Sequence, residues 1–293
     1  EAPNHANTQI PKYTMTTPEV PPFVPAISTT IFYPNLLDPP RHLKLIADAG
    51  FSCIELCCNN GAKDFDAASP QARHELVSVC SDLGITIRSV HAPGVYPRTH
   101  VDEAMGREYL DATKAHLDFA AELGAGVVVL HRLKTGKPGP PEWDRMMHAF
   151  LDELAEYVLP LPVVIGLENL NWRVDAREDL GIVRSYGEDA MGFVLDTGHA
   201  HMFEANPAYL ANCGTRLCSV HIHDNDGQSD LHWLPGTGTM KWESWVHGLV
   251  QSGYKGPLLI EVQDYHRQDD LPGLLSDCMA ALQMLRSYLP GDG

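Results

Sequence analysis

The chain has 293 residues and a formal net charge of −17, because 38 Asp and Glu residues outnumber 21 Lys and Arg residues. This length suits one α/β barrel, whose usual size is about 250 residues plus additions. The negative overall field disfavours binding to nucleic acid or to an anionic membrane surface, and the sequence has no apolar run near the ~20 residues of a membrane-spanning helix.

The seven cysteines are scattered, odd in number and without paired C-x-x-C spacing. This pattern argues against a disulfide scaffold or a thiolate zinc site and predicts buried thiols in a reducing compartment. We therefore expect a cytoplasmic protein. The chain begins at Glu1 rather than Met, so a leader removed before residue 1 stays open.

Residues 1–23 are rich in Pro, Thr and Asn and show no apolar period, so they are predicted to form an irregular arm on the surface. From residue 24 onward, short apolar runs alternate with amphipathic stretches, and one domain is predicted over 24–293. Gly50, Gly84 and Gly124 each mark the end of a predicted helix. Strands are predicted at 24–32, 51–56, 85–90, 126–130, 163–167, 192–195, 217–220 and 257–260, and helices at 39–49, 72–83, 101–123, 141–157, 178–186, 207–211, 242–251 and 272–288.

These elements make eight strand-helix units. The strands are too continuously apolar to form one face of an antiparallel sheet, so they are predicted to be parallel and covered by helices. A doubly wound sheet would need a glycine-rich phosphate-binding turn after an early strand, and no G-x-G-x-x-G occurs. The predicted fold is therefore α/β, a single (β/α)8 TIM barrel with an irregular N-terminal arm.

Ionisable side chains follow the predicted strands at the same relative position. In a parallel barrel the carboxyl ends of all strands share one face, where the loops build the site. Charged groups at buried strand ends are costly to desolvate unless they are paired or bind a metal, so their recurrence indicates a shared site. The residues at these ends are Glu55, His91, His131, Glu168, Asp196, His199, His221 and Glu261.

The segment 216–242 is the densest part of this pattern. Imidazoles crowded with carboxylates behind a buried strand are typical of a divalent metal site. His201 and His223 alternate with better candidates, so we expect them to point away or to act behind the ligands. Glu55 is open between contact with substrate and a pairing with Arg88 or Arg132. Six ligand-type groups lie within residues 221–232: His221, His223, Asp224, Asp226, Asp230 and His232.

The strand-end motifs resemble those of the xylose isomerase-like (β/α)8 superfamily, which includes sugar and sugar-phosphate isomerases and epimerases as well as endonuclease IV. These motifs extend over residues 50–262, nearly the whole barrel. They are specific in combination, above all from the fifth strand to the eighth. The motifs are GFSCIEL, SVHAP, LEN, LDTGH, VHIHDNDG followed by DLHWLPGTG, and LLIEV.

The resemblance implies two ligand sets. In the isomerases and epimerases one divalent ion is bound by residues that map to Glu168, Asp196, His221 and Glu261, and the two glutamates also move the proton. In endonuclease IV a larger set binds three zinc ions. Its matching positions here are His91, His131, Glu168, Asp196, His199, His221, Asp230, His232 and Glu261.

The predicted function is that of a divalent-metal-dependent sugar or sugar-phosphate isomerase or epimerase working through an enediolate, with Mn²⁺, Zn²⁺, Mg²⁺ or Co²⁺. The alternative is a metal-dependent lyase or hydrolase with a multinuclear zinc site, including endonuclease IV-like hydrolysis. Few cations in the site loops favour a small carbohydrate over nucleic acid, and the oligomeric state stays open. Glu168 and Glu261 are the predicted catalytic residues. The predicted substrate-binding residues are Glu55, His91, His131, His199, Asp230 and His232.

Overall fold

The computed structural model describes residues 22–60, 63–94, 103–132, 141–170, 176–203, 207–264 and 266–290. The predicted arm, residues 1–23, therefore lies outside the described residues except for its last two positions. Phe23 contacts the barrel domain, because its N–H donates to the carbonyl of Gly256 at 3.0 Å. Among the described helices, none is both long and apolar enough to cross a bilayer.

Eight parallel strands form one sheet with the order β7-β6-β5-β4-β3-β2-β1-β8. A parallel bridge between Ile222 and Ile260 joins its two edges just beyond β7, where the N–H of Glu261 donates to the carbonyl of Ile222 at 2.9 Å. The predicted (β/α)8 barrel is thereby confirmed. The strands are β1 Pro25–Ser28, β2 Cys53–Cys57, β3 Thr86–His91, β4 Val127–His131, β5 Val164–Glu168, β6 Met191–Asp196, β7 Leu217–His221 and β8 Leu258–Ile260.

Helices follow the strands and cover the sheet. Helix ends carry the expected local signals: the Ser69 hydroxyl accepts from the N–H of Ala72 at 3.3 Å, with Pro70 at the first helical position. Gly84 closes the same helix with a φ of 67°, a left-handed conformation that favours glycine. The helices are α1 Pro39–Asp48, α2 Pro70–Leu83, α3 Glu103–Leu123, α4 Pro141–Val158, α5 Ala176–Val183, α6 Thr197–His201, α7 Trp242–Ser252 and α8 Leu271–Arg286.

Two predicted elements differ from the structure. The first predicted strand is shorter, because Thr29–Phe32 forms a 3-10 helix after Ser28, whose hydroxyl caps it. The helix predicted at 207–211 is a 3-10 helix, Pro207–Asn212. The α-helix after β6 is the five-residue α6, which Asp196 caps by accepting from the N–H of His199 at 2.7 Å. A helix of five residues is too short to show an apolar period, so the sequence did not reveal it.

Part of the barrel interior below the strand ends is apolar. Val127, Val129 and Val194 pack there with the partly buried Cys218, and Gly166 leaves room for them, because a Cβ at that position would lie 2.9 Å from Val127 Cγ1. All seven cysteines are free thiols and six are buried, in line with the sequence analysis. The polar side chains of the site lie above this valine cluster, at the carboxyl ends of the strands.

Candidate metal centre

The polar face of the barrel is built by the last residues of five neighbouring strands. His91, His131, Glu168, Asp196 and His221 end β3, β4, β5, β6 and β7. The parallel register aligns them, since His131 pairs with Glu168 and Asp196 pairs with His221 across adjacent strands. All five are buried. Glu261 follows β8 directly and completes the ring.

Four of these side chains converge on one point. The ligand atoms of Glu168, Asp196, His221 and Glu261 all lie within 4.8 Å of one another. His221 Nδ1 lies 3.1 Å from Glu261 Oε2 and 3.4 Å from Glu168 Oε1, yet this buried nitrogen makes no hydrogen bond of normal geometry. Three carboxylates around an unsatisfied imidazole nitrogen fit a divalent cation, because oxygen and imidazole ligands suit Mn²⁺, Zn²⁺ and related ions.

Neighbouring polar groups fix the carboxylate of Glu168 on β5 and the backbone of Asp196 on β6. His131 Nε2 lies 2.9 Å and His91 Nε2 3.3 Å from the same oxygen of Glu168, Oε2. The side chain of Asn169 accepts from the N–H of Asp196 at 2.8 Å and donates to its carbonyl at 2.9 Å. His91 and His131 thus hold Glu168 on the side away from its Oε1. Sequence reasoning did not single out Asn169, although the LEN motif contains it.

A second group of ligand-type side chains lies beside the first. His199 Nε2 is 3.2 Å from Asp230 Oδ2, and His232 Nε2 is 3.3 Å from Asp230 Oδ1. His232 adopts a φ of 46°, which is uncommon for a residue with a side chain and indicates a position set by its surroundings. Its Nδ1 faces the carbonyl of Glu261 at 2.9 Å, which links the loop to the first group. The ligand atoms of His199, His223, Asp230 and His232 lie within 4.8 Å of one another.

His223 does not point away from the site, and its contacts agree with the other expectation, a place behind the ligands. His223 is fully buried, and its Nε2 lies 3.0 Å from both carboxylate oxygens of Asp196. Its ring stacks on that of His232, with centroids 3.9 Å apart. Gly198 makes this position accessible, because a Cβ there would collide with the His223 ring. His201 does lie outside both groups, with its Nε2 2.8 Å from Thr239 Oγ1.

Asp224 anchors the loop that carries Asp230 and His232. This fully buried carboxylate accepts from the N–H of Gly236 at 2.9 Å and from the indole N–H of Trp242 at 2.8 Å. Its other oxygen accepts from the N–H of Met240 at 3.2 Å. Because buried carboxylates need such donors, Asp224 closes the loop rather than serving as a ligand.

Glu55 lies behind His221 rather than on the open face of the site. The carboxylate is fully buried, and its Oε2 lies 2.8 Å from Ser89 Oγ and 3.1 Å from His221 Nε2. The expected contact with substrate stays a prediction, which this buried position behind His221 does not support. The alternative pairing with Arg132 is wrong, because that guanidinium lies 3.3 Å from Asp179.

The charges of the site shift the pKa values of its histidines in the metal-free protein. Burial lowers each of these pKa values, but facing carboxylates outweigh it at four positions, one of which is His221. Glu168 raises the pKa of His91 to about 9. Asp196 and Asp230 raise that of His199 to about 10, and Asp230 raises that of His232 to about 9. For Glu261, burial raises the pKa, but His221 outweighs it and lowers the pKa to about 2.

The chain has relatives of known activity. Fructoselysine 3-epimerase from Escherichia coli O157:H7 is 30% identical over 200 residues, which cover 65% of this chain and 70% of that protein. 3-Dehydroshikimate dehydratase from Pseudomonas putida is 25% identical over 236 residues, which cover 76% of this chain and 36% of that protein.

The fold also recurs among solved structures. The IolI protein with a bound zinc atom has a TM-score of 0.78 and 18% identity over 92% of this chain and 100% of that one, a likeness of fold alone. The family model for the xylose isomerase-like TIM barrel matches residues 43–287. This match covers nearly the whole barrel and agrees with the resemblance of the strand-end motifs. The chain belongs to the family of xylose isomerase-like TIM barrels.

Proposed function

We propose that this protein is a divalent-metal-dependent isomerase or epimerase of a carbohydrate. The observation that carries the proposal is the convergence of Glu168, Asp196, His221 and Glu261. The 30% identical relative, a fructoselysine 3-epimerase, supports a carbohydrate as the substrate. Manganese, zinc, magnesium and cobalt all suit this donor set.

A divalent ion held by these residues supplies electrophilic polarisation of a carbonyl group, which makes the neighbouring C–H more acidic. The two glutamates are placed for the proton transfers, because they reach the same His221 nitrogen from β5 and β8, strands that lie three places apart in the barrel. One carboxylate removes the proton, and the resulting enediolate of the substrate accepts a proton from the other. Return to the opposite face gives an epimer, and return to the adjacent carbon gives an isomer.

The remaining histidines assist these steps. His131 and His91 hold Glu168 Oε2, so Glu168 Oε1 is directed toward the ring of ligand atoms. His199, Asp230 and His232 form the neighbouring wall, where imidazole and carboxylate groups can hydrogen-bond substrate hydroxyls. With one ion bound by the first group, these side chains would be available to the substrate and not needed as metal ligands.

A second candidate is a lyase or hydrolase with more than one ion. The group of His199, His223, Asp230 and His232 favours it, because three imidazoles and one carboxylate also suit zinc. The dehydratase relative, at 25% identity, catalyses a different class of reaction from the epimerase. The number of bound ions and the products formed separate the two candidates.

Glu168→Gln and Glu261→Gln should each lower epimerase or isomerase turnover by about 10²–10⁴-fold, because each removes a proton carrier. Turnover is measured by NMR with fructoselysine and with ketohexoses in D₂O, which also detects deuterium at the reacting carbon. Glu243→Gln, at an exposed position on α7, is the control and should keep wild-type rates. A wild-type rate in either site variant would remove that glutamate from the mechanism and contradict the two-carboxylate proposal.

In the chelator-treated protein, the free energy of unfolding should fall as the pH rises. His91, His199 and His232 bind protons more tightly when folded, with pKa values of about 9, 10 and 9, than when unfolded, at about 6.5. Their stabilising contribution is complete below pH ~6.5 and is lost as pH rises through 9 to 10. The Tm of chelator-treated protein should therefore drop between pH 7 and 10, more steeply than that of zinc-loaded protein. A constant or rising Tm of the metal-free form would contradict these assignments.

The ion count is tested by the double variant Asp230→Ala with His232→Ala. Under the one-ion account this variant should raise KM by a larger factor than it lowers bound metal, because it removes hydrogen-bonding groups and no ligand of the first group. Native mass spectrometry gives the ions per chain. Loss of two ions per chain in the variant would favour the multinuclear alternative.

DNA cleavage provides a further test of the alternative. With a net charge of −17, the protein should show no specific incision of a duplex with an abasic site at physiological salt, because such binding depends on neutralising phosphates. Endonuclease IV assayed in parallel is the positive control. Incision at enzyme-like rates that disappears on chelation would favour the hydrolase with more than one ion over the isomerase or epimerase.

A further inference from the structure

Glu55 is the one buried carboxylate in contact with His221 to which the proposed reaction gives no task. It lies inside β2, and the His221 ring reaches it from β7 across the barrel interior. Ser89, its partner in the register of β3, donates to the same oxygen. The other oxygen, Oε1, is buried and makes no hydrogen bond.

A carboxylate in this position is unfavourable for stability alone. A buried charge loses its hydration, and replacing it by an apolar side chain of similar volume is often neutral or stabilising. In place of water, the Glu55 carboxylate has only one hydroxyl donor, Ser89, and one imidazole, His221. Its contact with His221 is therefore the feature that a function must explain.

The contact fixes which nitrogen of His221 is available to a metal. An ionised carboxylate only accepts hydrogen bonds, so Nε2 of His221, 3.1 Å from Glu55, must carry a proton. In the neutral ring the lone pair then lies on Nδ1, the nitrogen that faces Glu168 and Glu261 at 3.4 and 3.1 Å. Nδ1 is also the nitrogen without a hydrogen bond.

We propose that Glu55 is a positioning residue for the metal centre, which holds His221 as the Nε2–H tautomer with Nδ1 directed at the ion. Carboxylates behind ligand histidines orient the ring and raise its basicity. Ser89 holds the Glu55 carboxylate in turn. The inference rests on the metal site of the proposed function but not on the reaction.

Glu55→Gln tests this role, because it keeps the shape and removes the charge. Zinc affinity, measured by competition with a chromophoric chelator, should fall by about 10–100-fold, and the visible bands of the Co²⁺-loaded protein should shift. Asp179→Asn is the matched control: Asp179 is also fully buried, and its carboxylate lies 3.3 Å from the guanidinium of Arg132. Its zinc affinity should stay that of the wild type.

Zinc affinity in Glu55→Gln equal to that of the wild type, with an unchanged Co²⁺ spectrum, would overturn the proposal even if the Tm falls. Should the variant not fold, the zinc-loaded wild type is labelled with ¹⁵N-histidine, and the His221 signal is assigned by comparison with His221→Asn. A proton on Nε2 supports the proposal, and a proton on Nδ1 contradicts it. Turnover plays no part in these readouts, so loss of zinc affinity in Glu55→Gln together with an inactive wild type would sink only the proposed reaction.

Discussion

The burial of several carboxylates around one imidazole is the constraint on which the rest of this structure depends. Glu168, Asp196 and Glu261 surround His221 at the polar end of the barrel, and Glu55 lies behind it. Burying these negative charges costs hydration free energy unless nearby positive charges compensate for it. In the metal-free protein the carboxylates raise the pKa of His91 and His199 despite burial. The protonated histidines then balance the negative charges. In the proposed function a divalent ion would take over that task by displacing the protons.

The fold delivers this arrangement through strand register, and the loops refine it. Parallel pairing brings His131 level with Glu168 and Asp196 level with His221. Beyond the strands, precision comes from buried hydrogen bonds. Asp224 holds the loop of Asp230 and His232 through backbone N–H groups and an indole N–H. Such a supported site needs little rearrangement to accept a ligand.

The sequence predicted the parts of the site that follow from strand ends and could not predict side-chain orientation beyond them. His223 follows His221 by two residues, and the parallel bridge at Ile222 continues the extended chain, so both side chains lie on the same side. Gly198 in another segment leaves room there for the His223 ring. Glu55 was assigned to substrate or to an arginine, because nothing local reveals a partner 166 residues away. The helix α6 was missed since Asp196 was considered as a ligand and not also as a helix cap.

Anomalous diffraction from crystals grown with zinc tests the central claim most directly. We expect a strong peak at bonding distance, ~2.0–2.3 Å, from His221 Nδ1 and from carboxylate oxygens of Glu168, Asp196 and Glu261. A map at saturating zinc with no peak among these four side chains, or with the ion bound through His221 Nε2, would contradict that claim.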